Sequence, residues 1–326
     1  MSEISEQAVT KPGGINISFV KKISGPLVGL IILCVFFSLT SEYFLSARNG
    51  LNVLDQITVL GILAIGMTLV IVIGGIDLSV GSVLAFSMMM MGVMERQLGL
   101  PLGLAIVVGV LTGALCGLVS GLLVTVAKLP AFIATLAVMS ATRGLANILT
   151  EGKQIVGYPE WFTSLATVRQ FGFLSMTVAT FIVIAIVAAL ILKYRPAGRN
   201  LFAIGGNPEV ARLAGIKVNR ATCIVYAISG ALAGIAAVAF AARLDSSQPS
   251  AGLGYELDTI AAVVIGGASL SGGVGSISGT VIGVFIIGVL RNGLNLLGVS
   301  PFVQQVLIGI VIAAAVTFDT LGRKRR

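Results

Sequence analysis

The sequence predicts an all-α integral membrane protein of about ten transmembrane helices, two of them interrupted at glycine pairs, with an internal repeat. Three observations predict it. Hydrophobic residues make up 56% of the chain and charged residues only 10%, far below the roughly 25% charge of a soluble domain. Apolar runs of span length follow one another along almost the whole chain, and two closely matching octapeptides carrying Gly-Gly break them.

A bilayer asks for about 20 apolar residues per helix. Runs that meet or approach this lie near 26–44, 58–75, 78–94, 102–126 and 132–149, then near 173–193, 221–242, 257–271, 276–296 and 302–318. Mean hydropathy of +1.05 agrees with so many spans. Residues 1–25 are polar and mildly basic and form an N-terminal tail. The run from Leu27 to Phe37 has no small-residue cleavage site after it, so it is expected to stay as the first span. Residues 26–320 then form one membrane domain, and 321–326 a basic C-terminal tail.

An even number of spans puts both termini on one side. Under this layout Lys11, Lys21, Lys22, Lys128, Lys193, Arg195, Arg199, Arg212, Lys217, Arg220, Arg323, Lys324, Arg325 and Arg326 share a face. They are 14 of the 21 basic residues, which makes that face, and both termini, cytoplasmic. The other face carries Glu151, Lys153, Glu160 and Arg169, with Tyr158 and Trp161 suited to an interfacial aromatic belt. A net charge of +8 is accounted for by this orientation, without a nucleic-acid partner.

The octapeptides Val72–Ser79 and Val264–Ser271 differ only at 76/268 and 77/269, and Pro130-Ala131-Phe132 echoes Pro301-Phe302. Repeated halves with helices broken at corresponding places characterise transporters, where freed backbone groups line a path. The rival reading is chance recurrence of Gly-Gly-x-x-Leu-Ser in a chain of 41 glycines.

Several chemistries are excluded. The chain has no histidine, and Cys34, Cys116 and Cys223 lie far apart in apolar runs, so neither a metal site nor hydrolytic catalysis is expected. Gly152-Lys153 lacks the rest of a P-loop, and Gly272-Gly273-Val274-Gly275 runs into an apolar span rather than following a strand. No catalytic residue and no resident cofactor are expected.

Asp77 and Ser79 sit at the first break. Asp77 either lines a solute path or caps the third span by accepting an N–H from Ser79 or Val80. Asn292 and Asn295, on one helical face, either bind a polyol or join helices. The polar segment 242–258, with Gln248, Tyr255, Glu256 and Asp258, reads as an outer loop that meets a sugar or a delivery protein, or as a solvated connector. The loop 194–220 carries a helix signal: Asn207 as cap, Pro208 first, Glu209 in the first turn, then Ala211 and Arg212, and Gly215 past the end. Such a helix suits docking of a cytosolic partner, or the loop merely orients the chain.

Gly66–Ser82, with its Gly-Ile-Asp-Leu-Ser-Val-Gly-Ser core, resembles the signature of the ribose-type permeases of bacterial ABC sugar importers. So do Ala131–Leu136, Ile204–Asn207, Ala211–Asn219, Gln248-Pro249 with Gly254–Asp258, and Asn292–Gly298, in order from about residue 26 to 320. The resemblance implies a homodimer in the inner membrane. A separate cytosolic subunit would bind ATP and Mg, and a periplasmic sugar-binding protein would deliver the sugar. It makes Asn207–Ile216 the coupling helix and turns the outer loops toward the binding protein. The substrate it implies is a ribose- or allose-like aldose. The rival is a secondary transporter or channel working without ATP, for which Asp77 is the one obvious coupling carboxylate.

Overall fold

The computed structural model describes residues 17–324. Among them the chain forms α1 (Ile17–Thr40), α2 (Ala47–Val72), α3 (Val80–Arg96), α4 (Leu102–Thr125), α5 (Ala131–Ile148), α6 (Glu160–Thr167) and α7 (Met176–Tyr194). It continues as α8 (Pro196–Gly206), α9 (Pro208–Leu213), α10 (Val218–Leu244), α11 (Tyr255–Ile265), α12 (Ile277–Leu296) and α13 (Pro301–Lys324). Four two-residue strands make two small antiparallel pairs: β1 (Ile155–Val156) with β4 (Ser246–Ser247), and β2 (Arg169–Gln170) with β3 (Leu174–Ser175).

Each expected span coincides with a helix, and among the described residues six, α2, α4, α5, α7, α10 and α12, are long and apolar enough to cross a membrane. Of the other four, α3 has 17 residues and α11 only 11, which at 1.5 Å per residue is about 16 Å. Of α1 and α13, the described apolar parts are Gly25–Thr40 and Pro301–Val311. Helix α1 begins at Ile17, nine residues ahead of the expected span, while 1–16 of the N-terminal tail and 325–326 of the C-terminal tail lie outside the described residues.

The bundle is organised around α2 and α10. In its most apolar window 83% of α2 is buried, against 17% of α7, so α2 is core and α7 faces outward. Glycines set the closest contact. Gly109, Gly113, Gly117 and Gly121 recur every four residues and therefore form one stripe on α4. A Cβ on Gly113 would overlap the Gly230 carbonyl of α10, and one on Gly117 the Tyr226 carbonyl. Small residues let backbones approach in this way, replacing the hydrophobic effect with dispersion as the source of helix association in lipid.

The breaks come together. Helix α2 stops at Val72 and Gly74 takes φ +81°, which only glycine adopts without strain; α11 stops at Ile265 and Gly267, Gly272 and Gly273 are also left-handed. Gly273 donates its N–H to the Val72 carbonyl at 2.9 Å, so the second break closes on the end of α2. The end of α8 fits against both, since a Cβ on Gly205 would overlap Val72 O and Gly273 N. The matched octapeptides do not adopt one backbone: aligned Gly74 and Gly266 have φ +81° and −67°, and the second helix ends one residue later. Pro130 opens the third helix after its break counting α3 first, whereas Pro301 opens the second counting α12 first.

Candidate functional site

Asp77 lies in the first break with 1% of its surface exposed, and both carboxylate oxygens are engaged. Ser79 donates its N–H (2.9 Å) and hydroxyl (2.6 Å) to Oδ1, and the Ser229 hydroxyl of α10 donates to Oδ2 at 3.0 Å. The N-cap of α3 is Ser79 itself, without a side-chain cap bond. Asp77 thus receives the expected Ser79 N–H but shapes the turn ahead of the helix and pins it to α10. The surroundings continue the polar line: Thr135 of α5 donates to Ile76 O at 3.2 Å, Ser82 to Ser79 O at 2.9 Å, and Thr142 to Ser82 Oγ at 2.9 Å.

Asn292 is buried in a reciprocal amide pair with Asn49 of α2, at 2.9 and 3.0 Å, and Asn49 also donates to Phe44 O at 2.9 Å. Asn295 accepts from Gln304 of α13 at 2.7 Å. Of the two readings of these amides, the geometry supports helix joining: Asn292 ties α12 to α2, and Asn295 ties it to α13.

The segment expected as a solvated outer loop is tucked inward. Ser246 and Ser247 pair with Val156 and Ile155, and the Ser247 hydroxyl donates to Met88 O (2.9 Å) and shares a hydrogen bond with Tyr158 Oη (2.6 Å). Gln248 turns back to Ser246 Oγ at 3.1 Å, and Tyr255 stacks at a tilt on Phe240, 5.9 Å between ring centres. Glu256 and Asp258 are buried in the first turn of α11 rather than lying exposed in a loop. The reason is charge pairing from distant helices. Arg143 of α5 lies 3.9 Å from Glu256, and Arg291 of α12 pairs with Asp258 at 2.5 Å. Arg143 further donates to Pro249 O (2.6 Å) and Ala251 O (2.8 Å), so one guanidinium holds the whole inward segment. Tyr158 is likewise buried, and burial raises its phenol above the ordinary range. Trp161 is half-exposed.

The loop helix forms as the sequence spells it. Asn207 accepts from Glu209 N (3.0 Å) and Val210 N (3.1 Å), Pro208 opens α9, Ala211 is buried, Glu209 pairs with Arg212, and Gly215 has φ +82°. Val210 and Leu213 are left exposed at 59% and 89%.

Arg143, Arg291, Asn49 and the pair Arg169–Asp55 were missed by sequence reasoning. For Arg143 and Arg291 the signal was present, because an ionisable residue inside an apolar run marks a pairing or a path. What the arrangement offers chemically is hydrogen bonding from hydroxyls and backbone at the break, with no three His, Cys, Asp or Glu side chains gathered for a metal among the described residues.

A profile of the family "branched-chain amino acid transport system / permease component" matches residues 49–316. The chain is 46% identical over 317 residues to the ribose import permease protein RbsC of Bacillus subtilis (strain 168), covering 97% of this chain and 98% of that one. It is 41% identical to RbsC of Escherichia coli (strain K12) over 90% of this chain and 92% of that one. With the L-arabinose transport system permease protein AraH of the same strain it shares 40% identity, covering 91% and 89%. No solved structure matches at a significant level.

Proposed function

The chain belongs to the permease family of branched-chain amino acid transport systems, and on that premise we propose that it is the permease subunit of an ATP-driven importer of a ribose-like monosaccharide. One observation carries the sugar reading: 46% identity to a ribose import permease over nearly the full length of both chains. It is a multi-pass protein of the inner membrane, with ten crossings and cytoplasmic termini. ATP and Mg belong to a separate cytosolic subunit, a periplasmic binding protein delivers the sugar, and two permease copies assemble as a homodimer.

The coupling role of Asn207–Gly215 is supported by a capped, exposed helix carrying its own ion pair in the most basic loop. At Asp77 and Ser79 the hydroxyl-rich break suits a polyol path, while the engaged carboxylate favours Asp77 as a positioning residue beside it. Gln248 and Tyr255, half-buried beside the exposed Ser250 and Leu253, leave the outer rim to the binding protein.

The test is extraction from the native host. Recovery of a P-loop ATPase in roughly equal amount, with ATP-dependent D-ribose uptake after reconstitution with the binding protein, is expected. A permease that moves ribose down its gradient alone would support the secondary-transporter reading. Exchanging the charges of α9, Glu209→Arg with Arg212→Glu, keeps the intrahelical pair, so the chain folds while sugar-stimulated ATPase activity falls several-fold. Unchanged stimulation would remove α9 from the coupling path.

A further inference from the structure

A cavity of about 440 Å³ opens on the side of the bundle between α2, α7, α8 and α10. Its wall is aliphatic, with Ile65 and Leu69 at the back, Val187 and Ile191 on one side and Ile228 on the other; Asn200 is its one amide. Along α10 it extends from Ala221 to Leu232. Eleven residues of rise make that roughly 16 Å, close to half the hydrocarbon thickness of a bilayer, about 15 Å. A sugar has no partners here, because nearly every group it would meet is a methyl or methylene. The helix that walls it on the outside, α7, is the least buried of the six long apolar helices, so this side of the bundle is little covered within the chain.

The Asn200 end differs in charge from the rest. Lys193, Arg195 and Arg199 bracket the turn from α7 into α8, and Arg220 precedes Ala221 of the wall. All four are exposed, and none makes an ion pair among the described residues. No acidic residue occurs from 161 to 208, and Glu209 is taken by Arg212. An aliphatic slot half a bilayer long, ending in unpaired cations, complements a lipid with an acyl chain and an anionic head. Basic pockets between spans on the cytoplasmic side are places where anionic headgroups bind.

We propose that this slot is a binding site for one anionic phospholipid per chain, with an acyl chain between α2, α7 and α10 and the phosphate among Lys193, Arg195, Arg199 and Arg220. The proposal rests on the chain being a membrane permease but not on what it carries, so lipid retention and transport fail separately. The measurement is native mass spectrometry of the full chain released from nanodiscs of equal phosphatidylglycerol and phosphatidylcholine.

Wild type is expected to retain one phosphatidylglycerol in preference to phosphatidylcholine. Ile228→Trp, which fills the slot, should lower retention of both at least tenfold with an unchanged melting temperature; Val187→Phe, from the opposite wall, serves if the tryptophan variant does not fold. Arg199→Gln with Arg220→Gln should keep a lipid but lose the headgroup preference. Retention without headgroup preference in wild type, or equal retention by the slot-filled variants, would overturn the proposal.

Discussion

Replacing Gly205 by alanine tests whether the two breaks and the loop helix pair form one joint. The added Cβ would overlap the carbonyl oxygen of Val72 and the amide nitrogen of Gly273, which are joined to each other at 2.9 Å. Both are backbone atoms of separate segments, so no side chain can swing away to make room. Losing that hydrogen bond costs about 0.5–1.5 kcal/mol, and overpacking adds about 1–3 kcal/mol. The sum, about 1.5–4.5 kcal/mol, is at least a tenfold shift in the folded-to-unfolded ratio at about 1.4 kcal/mol per decade. Gly206, one residue on, has nothing within 4 Å of its would-be Cβ. Gly206→Ala should therefore be neutral or slightly stabilising, since alanine is preferred over glycine in a helix by up to about 1 kcal/mol. Unfolding of both variants in mixed micelles, followed by helical signal, gives the comparison. A Gly205→Ala protein as stable as wild type, or two equally damaged variants, would refute the joint.

The reciprocal amides give a second test. Asn292→Leu alone leaves the buried Asn49 amide short of a partner and should cost about 1–3 kcal/mol, whereas Asn49→Leu with Asn292→Leu should recover part of that loss; a coupling energy near zero in the same micellar assay would deny the clasp. At the break, Asp77→Asn keeps an acceptor for the Ser79 N–H and an amide for Ser229 and should retain most sugar uptake, while Asp77→Leu should lose folded yield. Complete loss of uptake in Asp77→Asn at normal membrane abundance would instead assign the charge a direct part in the path.

Much of this was legible from local chemistry. Asn207, Pro208 and Gly215 each act on their own few neighbours, so the sequence could place α9 and its cap. Gly-Gly likewise located both breaks, because a left-handed backbone is a local demand. The rest depended on partners remote in the chain. Glu256 and Asp258 look like loop residues until Arg143 and Arg291 are beside them, and Asn292 looks available until Asn49 is found opposite. Helix length also escaped: the apolar run at 257–271 reads as continuous, but its glycines end α11 after 11 residues. The stripe Gly109, Gly113, Gly117 and Gly121 stood in plain view, yet its meaning needed the glycines of α10.

That stripe limits how the molecule can move. Side chains can change rotamer as helices slide, but where a glycine Cα of one helix meets a backbone carbonyl of the other there is nothing to re-pack. Rotation of α4 about its own axis against α10 would turn the stripe away and drive the flanking side chains into the opposing backbone. The two helices are therefore a keel. Whatever tilts or rotates during a transport cycle turns about α4 and α10 as one piece, and the freedom to rearrange belongs to helices such as α7, whose neighbours meet it through side chains or lipid.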